Sequence, residues 1–446
     1  MDFLTLNCGS SSVKYQLYRW EAKEVIARGA VERIGIEGSQ IQHYSRRKGD
    51  ICRQQACADH REAILLLTQL LLDPEVGVIR DVKDIAAVGH RIVHGGERFS
   101  RSVLIDQTAL ATFRELANLA PLHNPPNIVG VEAAQEILPA IPHCAIMDTA
   151  WHQTMPAHAY VYGLPYTWYE SHAVRRYGFH GTSFLYVAKR AAVLLGTNPF
   201  DSNLILLHIG NGASANAVRN GLSVDTSMGF TPLEGLLMGT RAGDHDPTIG
   251  LHMMQKAGLE SGAVQAILNR GSGILGITGN YVDRRDVIQA AERGEQRARL
   301  ALDIEAYRIK KYIGAYYAAL GRVDAIVFTA GVGEMSPIVR QKSLEGLENL
   351  GIRLSPEKNR LSVTRNAETE IGASESAVRI FVIPTDEELV MTEDSRALLE
   401  GRYDVHTRFH YMFQSAQYRN KQRREAFAAE LSERPGLAHV VAQVSA

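Results

Sequence analysis

Apolar positions along the chain fall into short runs that mark strands and into one-face repeats that mark helices. "FLTLNC" and "VKYQLY" (3–8 and 13–18) are two apolar runs parted by a turn of small hydroxyl residues, and "EVIARGAVERIGI" extends them into a third strand. "HREAILLLTQLLL" (60–72) carries a helical repeat. "DIAAVGHRIVHGG" (84–96) reads as a buried strand ending in a glycine turn, and "LHNPPNIVGVEAAQEIL" puts prolines at the entry of a helix. "HCAIMDTAWHQTM" (143–155) is a strand that ends on Asp148.

The second half starts again. "NLILLHIGNGASANAVRNG" (203–221) is strand, Gly-Asn-Gly turn, strand, and it echoes the opening hairpin. Two such hairpins about two hundred positions apart predict an α/β protein with a duplicated βββαβα core and a cleft between the copies. "RARLALDIEAYRIKKYIGAYYAALG" (297–321) predicts a long helix, and "VDAIVFTAGVGEMSP" (323–337) a third buried strand running into a glycine-rich turn. "RIFVIPTDEELVMTEDSRALLE" (379–400) reads as strand, proline, acidic turn and helix. Beyond about Tyr403 the chain becomes charged and then rich in small residues, which predicts a solvated helix and a loose end outside the core.

The turns carry the chemistry. Asn7, Gly9, Ser10 to Ser12 and Lys14 place backbone N–H groups, hydroxyls and an ammonium within a few residues, an inventory for phosphate oxygens. Turns at Gly210–Gly212 and Gly331–Gly333 repeat the strand-to-glycine grammar. One such turn alone is more often only a turn; three are harder to dismiss. "GSGILG" (271–276) matches G-x-G-x-x-G in letters only, because helical patterning precedes it where a dinucleotide fingerprint needs a strand. The chain contains no Walker A pattern, which excludes a P-loop nucleotide site.

Arg91, flanked by Gly89 and Gly95-Gly96 on an apolar strand, suits bidentate binding of a carboxylate or phosphate. His180 precedes an N-cap expected at Thr182 or Ser183, where anions gather. The polar loop 228–250, with Arg241 near its middle and Asp244 and Asp246 behind it, reads as facing a substrate. Asp148 is either a functional strand-end carboxylate or a helix cap. Glu387 and Glu388 are either a negative first helical turn or oxygen ligands for a divalent metal.

Composition narrows the class. At 446 residues, two or three domains are expected. A hydrophobic content of 45%, a charged content of 22% and a net charge of −1 fit a soluble enzyme and disfavour nucleic-acid binding. Cys8, Cys52, Cys57 and Cys144 show neither zinc spacing nor a dense disulfide pattern, so a reducing cytoplasm is expected. No signal peptide is expected before the first strand, and no apolar run reaches the roughly 20 residues of a membrane helix.

Taken together, "NCGSSSVK", "GHRIVHGG", "PLHNPPN", "MDTAWHQTMP", "RRYGFHGTS", "HIGNGAS", "DTSMGFTPLEGLLMGTRAGDHDP", "FTAGVGEMSP" and "PTDEEL" resemble the acetate kinase (acetokinase) family of the sugar kinase/Hsp70/actin superfamily, from about Phe3 to about Leu399. The resemblance implies two actin-like (ribonuclease H-like) domains with an interdomain nucleotide cleft: 1–150 plus 387–403, then 151–386 as the nucleotide-binding domain, followed by an extension at 404–446. It implies reversible transfer of a phosphoryl group from ATP to acetate, giving acetyl phosphate and ADP, with Mg²⁺ (or Mn²⁺ in its place), and a homodimer through the second domain.

By the same resemblance, Asn7 and Glu387 are metal positions, and Lys14 with Ser10 and Ser12 contacts ATP phosphates. Arg91 holds the acyl carboxylate, Asp148 is the essential carboxylate, and His180 and Arg241 stabilise the transition state. Val93, Leu122, Phe179 and Pro232 line the pocket for the acyl methyl group. The nucleotide segments are His208, Ile209, Gly210, Asn211 and Gly212; Asp283, Arg284 and Arg285; and Gly331, Val332, Gly333, Glu334 and Met335. Arg284 stands where the family has Phe or Met, and Met335 where it has Asn, so base preference is expected to differ. Two rival readings are a propionate or butyrate kinase of the same family and, more distantly, an Hsp70- or actin-like ATPase switch. The latter needs no acyl pocket and no Arg91.

Overall fold

The computed structural model describes residues 1–120 and 123–444. The chain forms two compact units, Met1–Gln153 with Asp386–Gln422, and Thr154–Thr385 with Arg423–Ala446. In the first unit, β1 (Asp2–Cys8), β2 (Ser12–Arg19), β3 (Glu24–Glu32), β4 (Gln40–Ser45), β5 (Gly49–Gln54), β6 (Ile85–Ile92), β7 (Val103–Leu104) and β8 (His143–Met147) form one sheet in the order β5-β4-β3-β2-β1-β6-β8-β7. In the second, β9 (Leu204–Ile209), β10 (Ala213–Arg219), β11 (Leu222–Thr226), β12 (Ala325–Thr329), β13 (Thr369–Glu370) and β14 (Arg379–Val382) form another, β11-β10-β9-β12-β14-β13.

The two sheets share one plan. Three antiparallel strands, β3-β2-β1 or β11-β10-β9, continue into two parallel ones, β6-β8 or β12-β14. The echo between the two hairpins is therefore a duplicated core. The central strands are apolar nearly throughout because both faces are covered: β8, β9 and β12 are buried at every position. Leu4, Leu6 and Leu17 pack with Ile64, Leu67 and Leu71 of the helix His60–Leu72, whose apolar stripe the sequence shows plainly.

The helix Glu387–Leu399 closes on the first sheet, with Met391 against Cys144 and Ile146. Gly89 makes room for it: a methyl group there would meet Ser395 Oγ at 2.7 Å. Hence the turn that begins this helix, with Glu387 and Glu388, is fixed over the ends of β1, β6 and β8.

The chain after Tyr403 departs from the expected solvated end. The helix Lys421–Glu433 has no buried residue, but Tyr411, Phe413, Leu437 and Val440 are buried. Tyr403, Phe409, Tyr411, Phe413 and Tyr418 pack ring against ring. Phe409, Tyr411 and Phe413 alternate with His410 and Met412, a run too short to stand out ahead of the charged tail. Among the described residues, no helix is long and apolar enough to cross a membrane. Cys8, Cys57 and Cys144 are buried free thiols, and Cys52 is an exposed one.

Candidate active site

In the first unit, Asn7 and Lys14 are register partners across the hairpin β1–β2, so both side chains emerge on one face beside the serine turn. That turn is closed by Gly9 N–H donating to Ser12 O at 2.8 Å and is held by the His60 ring, whose Nε2 lies 2.6 Å from Gly9 O. Ser10 and Lys14 are exposed, and Ser12 is half-buried.

Arg91 and Asp148 come from the ends of adjacent parallel strands, β6 and β8. Arg91 Nε donates to Asp148 Oδ1 at 2.9 Å and Nη2 to Oδ2 at 2.6 Å, a two-bond fork. Asp148 is 0% exposed. It opens a turn of 3₁₀ helix and pairs with the arginine from there. Desolvation pushes the Glu387 carboxyl up to about 7; Asp148 and Glu388 act in the same direction, and Arg91 and Lys14 oppose it. Arg91, Asp148, Glu387 and Lys14 thus form one electrostatic cluster.

The glycine loop after β6 is shaped by two asparagines that the sequence reading left without a role. Asn127 accepts from Val93 N–H at 3.0 Å and donates to Cys8 O at 2.7 Å, tying β6 to the end of β1. Asn124 pairs both ways with the His94 backbone, and Gly95 N–H donates to Thr149 Oγ1. Two fully buried asparagines around a Pro-Pro step are the signal that could have found them. Val93 is buried beside them; Leu122 lies outside the described residues.

In the second unit, His180 is itself the residue that precedes the helix Gly181–Leu195. The caps expected at Thr182 or Ser183 are not used as such; Ser183 Oγ instead shares a hydrogen bond with His208 Nδ1 at 2.9 Å. His180 has a left-handed backbone, φ 59°, uncommon for a residue with a side chain. Its Nδ1 bonds Ser214 Oγ at 2.8 Å, and its ring stacks on His208 at 4.0 Å. These contacts aim the other edge at the glycine turn: a methyl group on Gly212 would meet His180 Nε2 at 3.5 Å and Arg241 Nη1 at 3.7 Å. The structure therefore brings His180, Arg241 and the Gly-Asn-Gly turn together.

Arg241 is half-buried, and burial pulls its guanidinium down from the usual arginine value. Asn211 O accepts from Gly239 N–H at 2.9 Å, and its side chain lies against Gly239 so closely that a methyl there would fall 1.8 Å from Oδ1. The loop 228–250 is thereby pinned to the turn after β9. Arg176 pins it again from the histidine side, donating to Glu234 Oε1 and to the carbonyls of Thr226 and Ser227. Phe179 is buried, and Pro232 is half-buried with its carbonyl 3.5 Å from Arg241 Nη1.

The third glycine turn is a short helix, Ala330–Met335, not an open turn. It packs over β9: a methyl group on Gly333 would touch Ile209 and Leu207 O, and one on Gly210 would touch Ala330. Glu334 is buried, Met335 partly exposed. Asp283 caps the next segment by accepting from Arg285 N–H, and the exposed Arg285 side chain folds back onto it. Arg284 points inward. Its guanidinium donates to Glu305 Oε1 at 2.7 and 3.0 Å and to Val282 O, with both charged groups buried. Among the described residues, no three His, Cys, Asp or Glu side chains cluster closely enough to hold a metal by themselves.

Comparison with known proteins gives a consistent answer. The Acetokinase family model matches residues 2–393. The chain is 58% identical to the acetate kinase of Geobacter metallireducens over 93% of its own length and 98% of that protein. It is 57% identical to the acetate kinase of Treponema pallidum over 99% of both. The crystal structure of Porphyromonas gingivalis acetate kinase superposes with a TM-score of 0.85 at 43% identity, over 89% of this chain and 99% of that one. A propionate kinase structure from Francisella tularensis gives 0.83 at 38%, over 89% and 99%. With its duplicated sheets, its forked Arg91 and its histidine beside the second glycine turn, the chain belongs to the Acetokinase family.

Proposed function

We propose that the protein is an acetate kinase, transferring a phosphoryl group reversibly between ATP and acetate by direct in-line displacement. The observation that carries the reading is the pairing of Arg91 with a buried carboxylate at one strand end, beside Val93. Acetate is already an anion at neutral pH and needs no base. The barrier is repulsion between two anions together with their alignment, so positioning and charge cancellation do the catalysis. Arg91 binds the acyl carboxylate, and Asp148 holds the guanidinium in one orientation while it does so. In this role Asp148 is a positioning residue for Arg91. Val93, Phe179 and Pro232 receive the methyl group.

His180 and Arg241 neutralise the equatorial oxygens of the phosphoryl group in transit. Ser214 and His208 keep the His180 ring turned for that purpose. The glycine turns at 210–212 and 331–333 offer N–H groups to the nucleotide. The oxygen-rich set of Asn7, Glu387, Glu388 and Asp148 suits a hard cation with few protein ligands. Asn7 and Glu387 would hold Mg²⁺, which when bound offsets phosphate charge. Because the Arg284 guanidinium is spent on Glu305, the nucleotide segment 283–285 would meet the base without that charge.

Similarity to named acetate kinases at 57–58% identity over nearly the whole chain supports acetate as the acceptor. Exposed Ile249, Leu251, Met253 and Ile267, on the helices Thr248–Ala257 and Ser261–Arg270, fit contact with a second copy of the chain. Light scattering at the mass of a dimer checks that assignment. The function is tested with a panel of C2–C4 acids against ATP, GTP and pyrophosphate. Acetate-dependent ADP release, graded from acetate down to butyrate, is expected. ATP hydrolysis indifferent to acetate would mean an ATPase switch instead.

A further inference from the structure

The family match ends at residue 393, yet the chain continues and docks. Tyr411 OH donates to Asp394 Oδ1, and Met412 N–H to Glu393 Oε2, so the extension grips the helix Glu387–Leu399 from behind. Asn420 then donates to Asp386 Oδ2 at 2.9 Å, while Asp386 Oδ1 caps that helix at Leu389 N–H. Three residues on, Arg423 spreads its guanidinium over two backbone carbonyls, those of Pro384 (2.7 Å) and Thr385. The Thr385 N–H in turn donates to the Glu334 carboxylate, which Arg423 also faces electrostatically. Glu334 takes a second backbone N–H from Ala330, at the start of the third glycine turn.

Within the second unit, one side chain from outside the matched region therefore holds the Pro384–Thr385 backbone, which is joined through Glu334 to the Gly331–Met335 segment. We propose that Arg423 is a positioning residue for nucleotide binding, setting the third glycine turn through Thr385 and Glu334. This rests on the assignment of 331–335 made under the proposed function. A guanidinium is required because two carbonyls must be met by one planar donor; an ammonium on a flexible stem serves one of them well.

The test is Mg·ADP binding by calorimetry on the full chain, with KM for ATP and for acetate measured alongside. Arg423→Ala is expected to weaken Mg·ADP by about tenfold, the size of effect that follows loss of an outer support of a binding group. It should raise the ATP KM with it while acetate KM stays within about twofold. Arg423→Lys should recover part of the loss, and it carries the test if the alanine variant does not fold. Mg·ADP affinity within about twofold of the parent in the lysine and any folded alanine variant overturns the proposal. So does an acetate KM that moves as far as the ATP KM, the mark of a general structural role. If the parent binds Mg·ADP but forms no ADP from ATP when acetate is added, the proposed function fails while this test remains readable.

Discussion

Arg91 and Asp148 share two hydrogen bonds, of 2.9 and 2.6 Å, between neighbouring strand ends, with the carboxylate fully buried. Removing one partner takes the forked counter-charge from the other while it stays desolvated. Arg91→Ala is therefore expected to lower unfolding free energy by about 3–5 kcal/mol, read by denaturant titration. Asp148→Asn keeps the shape but loses the charge that orients the fork. It should retain the fold by circular dichroism and drop kcat/KM for acetate by roughly a hundredfold or more, as removal of a preorganised polar partner does. Full activity in Asp148→Asn would remove Asp148 from the mechanism.

Gly212 faces the gap flanked by His180 and Arg241. A methyl there meets ordinary contact distances, 3.5–3.7 Å, so the fold has room for Gly212→Ala. In the transfer proposed above, the space that closes would take a phosphoryl oxygen. Thermal unfolding should move by no more than a few degrees, while kcat falls by roughly tenfold or more through lost alignment. Gly239→Ala, which collides with Asn211 Oδ1, should by contrast disturb both.

Much of this was legible in the sequence because strand ends announce themselves. Arg91 and the two hairpins lie where an apolar run meets glycines, Asp148 lies where one meets polar residues, and the helix His60–Leu72 has the bounds its apolar repeat predicts. What was not legible depends on partners distant in sequence. The serine near His180 turned out to serve His208 and not a helix end, because the αL backbone of His180 starts the helix earlier. The pairing of the Arg284 guanidinium with Glu305, twenty-one positions on, gives no signal in the local sequence. The edge strand β5 carries mostly exposed polar residues, and β4 beside it alternates through Ile41, His43 and Ser45 with only one aliphatic side chain among them, too weak a pattern to mark a strand.

Glu387 supplies a pH dependence with a definite sign. Its carboxyl is raised to about 7 by desolvation, with Asp148 and Glu388 adding and Arg91 and Lys14 subtracting. Between the usual carboxylate range and about 7, the folded chain then binds more protons than the unfolded one, so stability falls as pH rises through that window. Glu393, raised to about 8, and Asp394, raised to about 7, act in the same direction. Unfolding temperatures of the metal-free protein should decline from pH 5 to pH 8, and Glu387→Gln should flatten part of that slope. Mg²⁺ competes with the proton, so half-saturating Mg²⁺ should fall as pH rises to about 7 and then level. An unchanged Mg²⁺ dependence in Glu387→Gln would take this residue out of the metal site.

Val93 is held, backbone and side chain, by the loop that Asn127 fastens to β1. Its methyl groups thus have little freedom to yield to a longer acyl chain. One methylene in an apolar pocket is worth about 1–3 kcal/mol of discrimination, so the parent should use propionate slowly and butyrate hardly at all. Val93→Ala is expected to raise the propionate-to-acetate ratio of kcat/KM by about tenfold, chiefly through KM for propionate. Asn127→Ala should blur the same selectivity without touching the pocket wall, because it frees the loop that presents Val93. Equal ratios in parent and Val93→Ala would show that chain length is read elsewhere, and equal kcat/KM for acetate and butyrate in the parent would refute the acetate assignment itself.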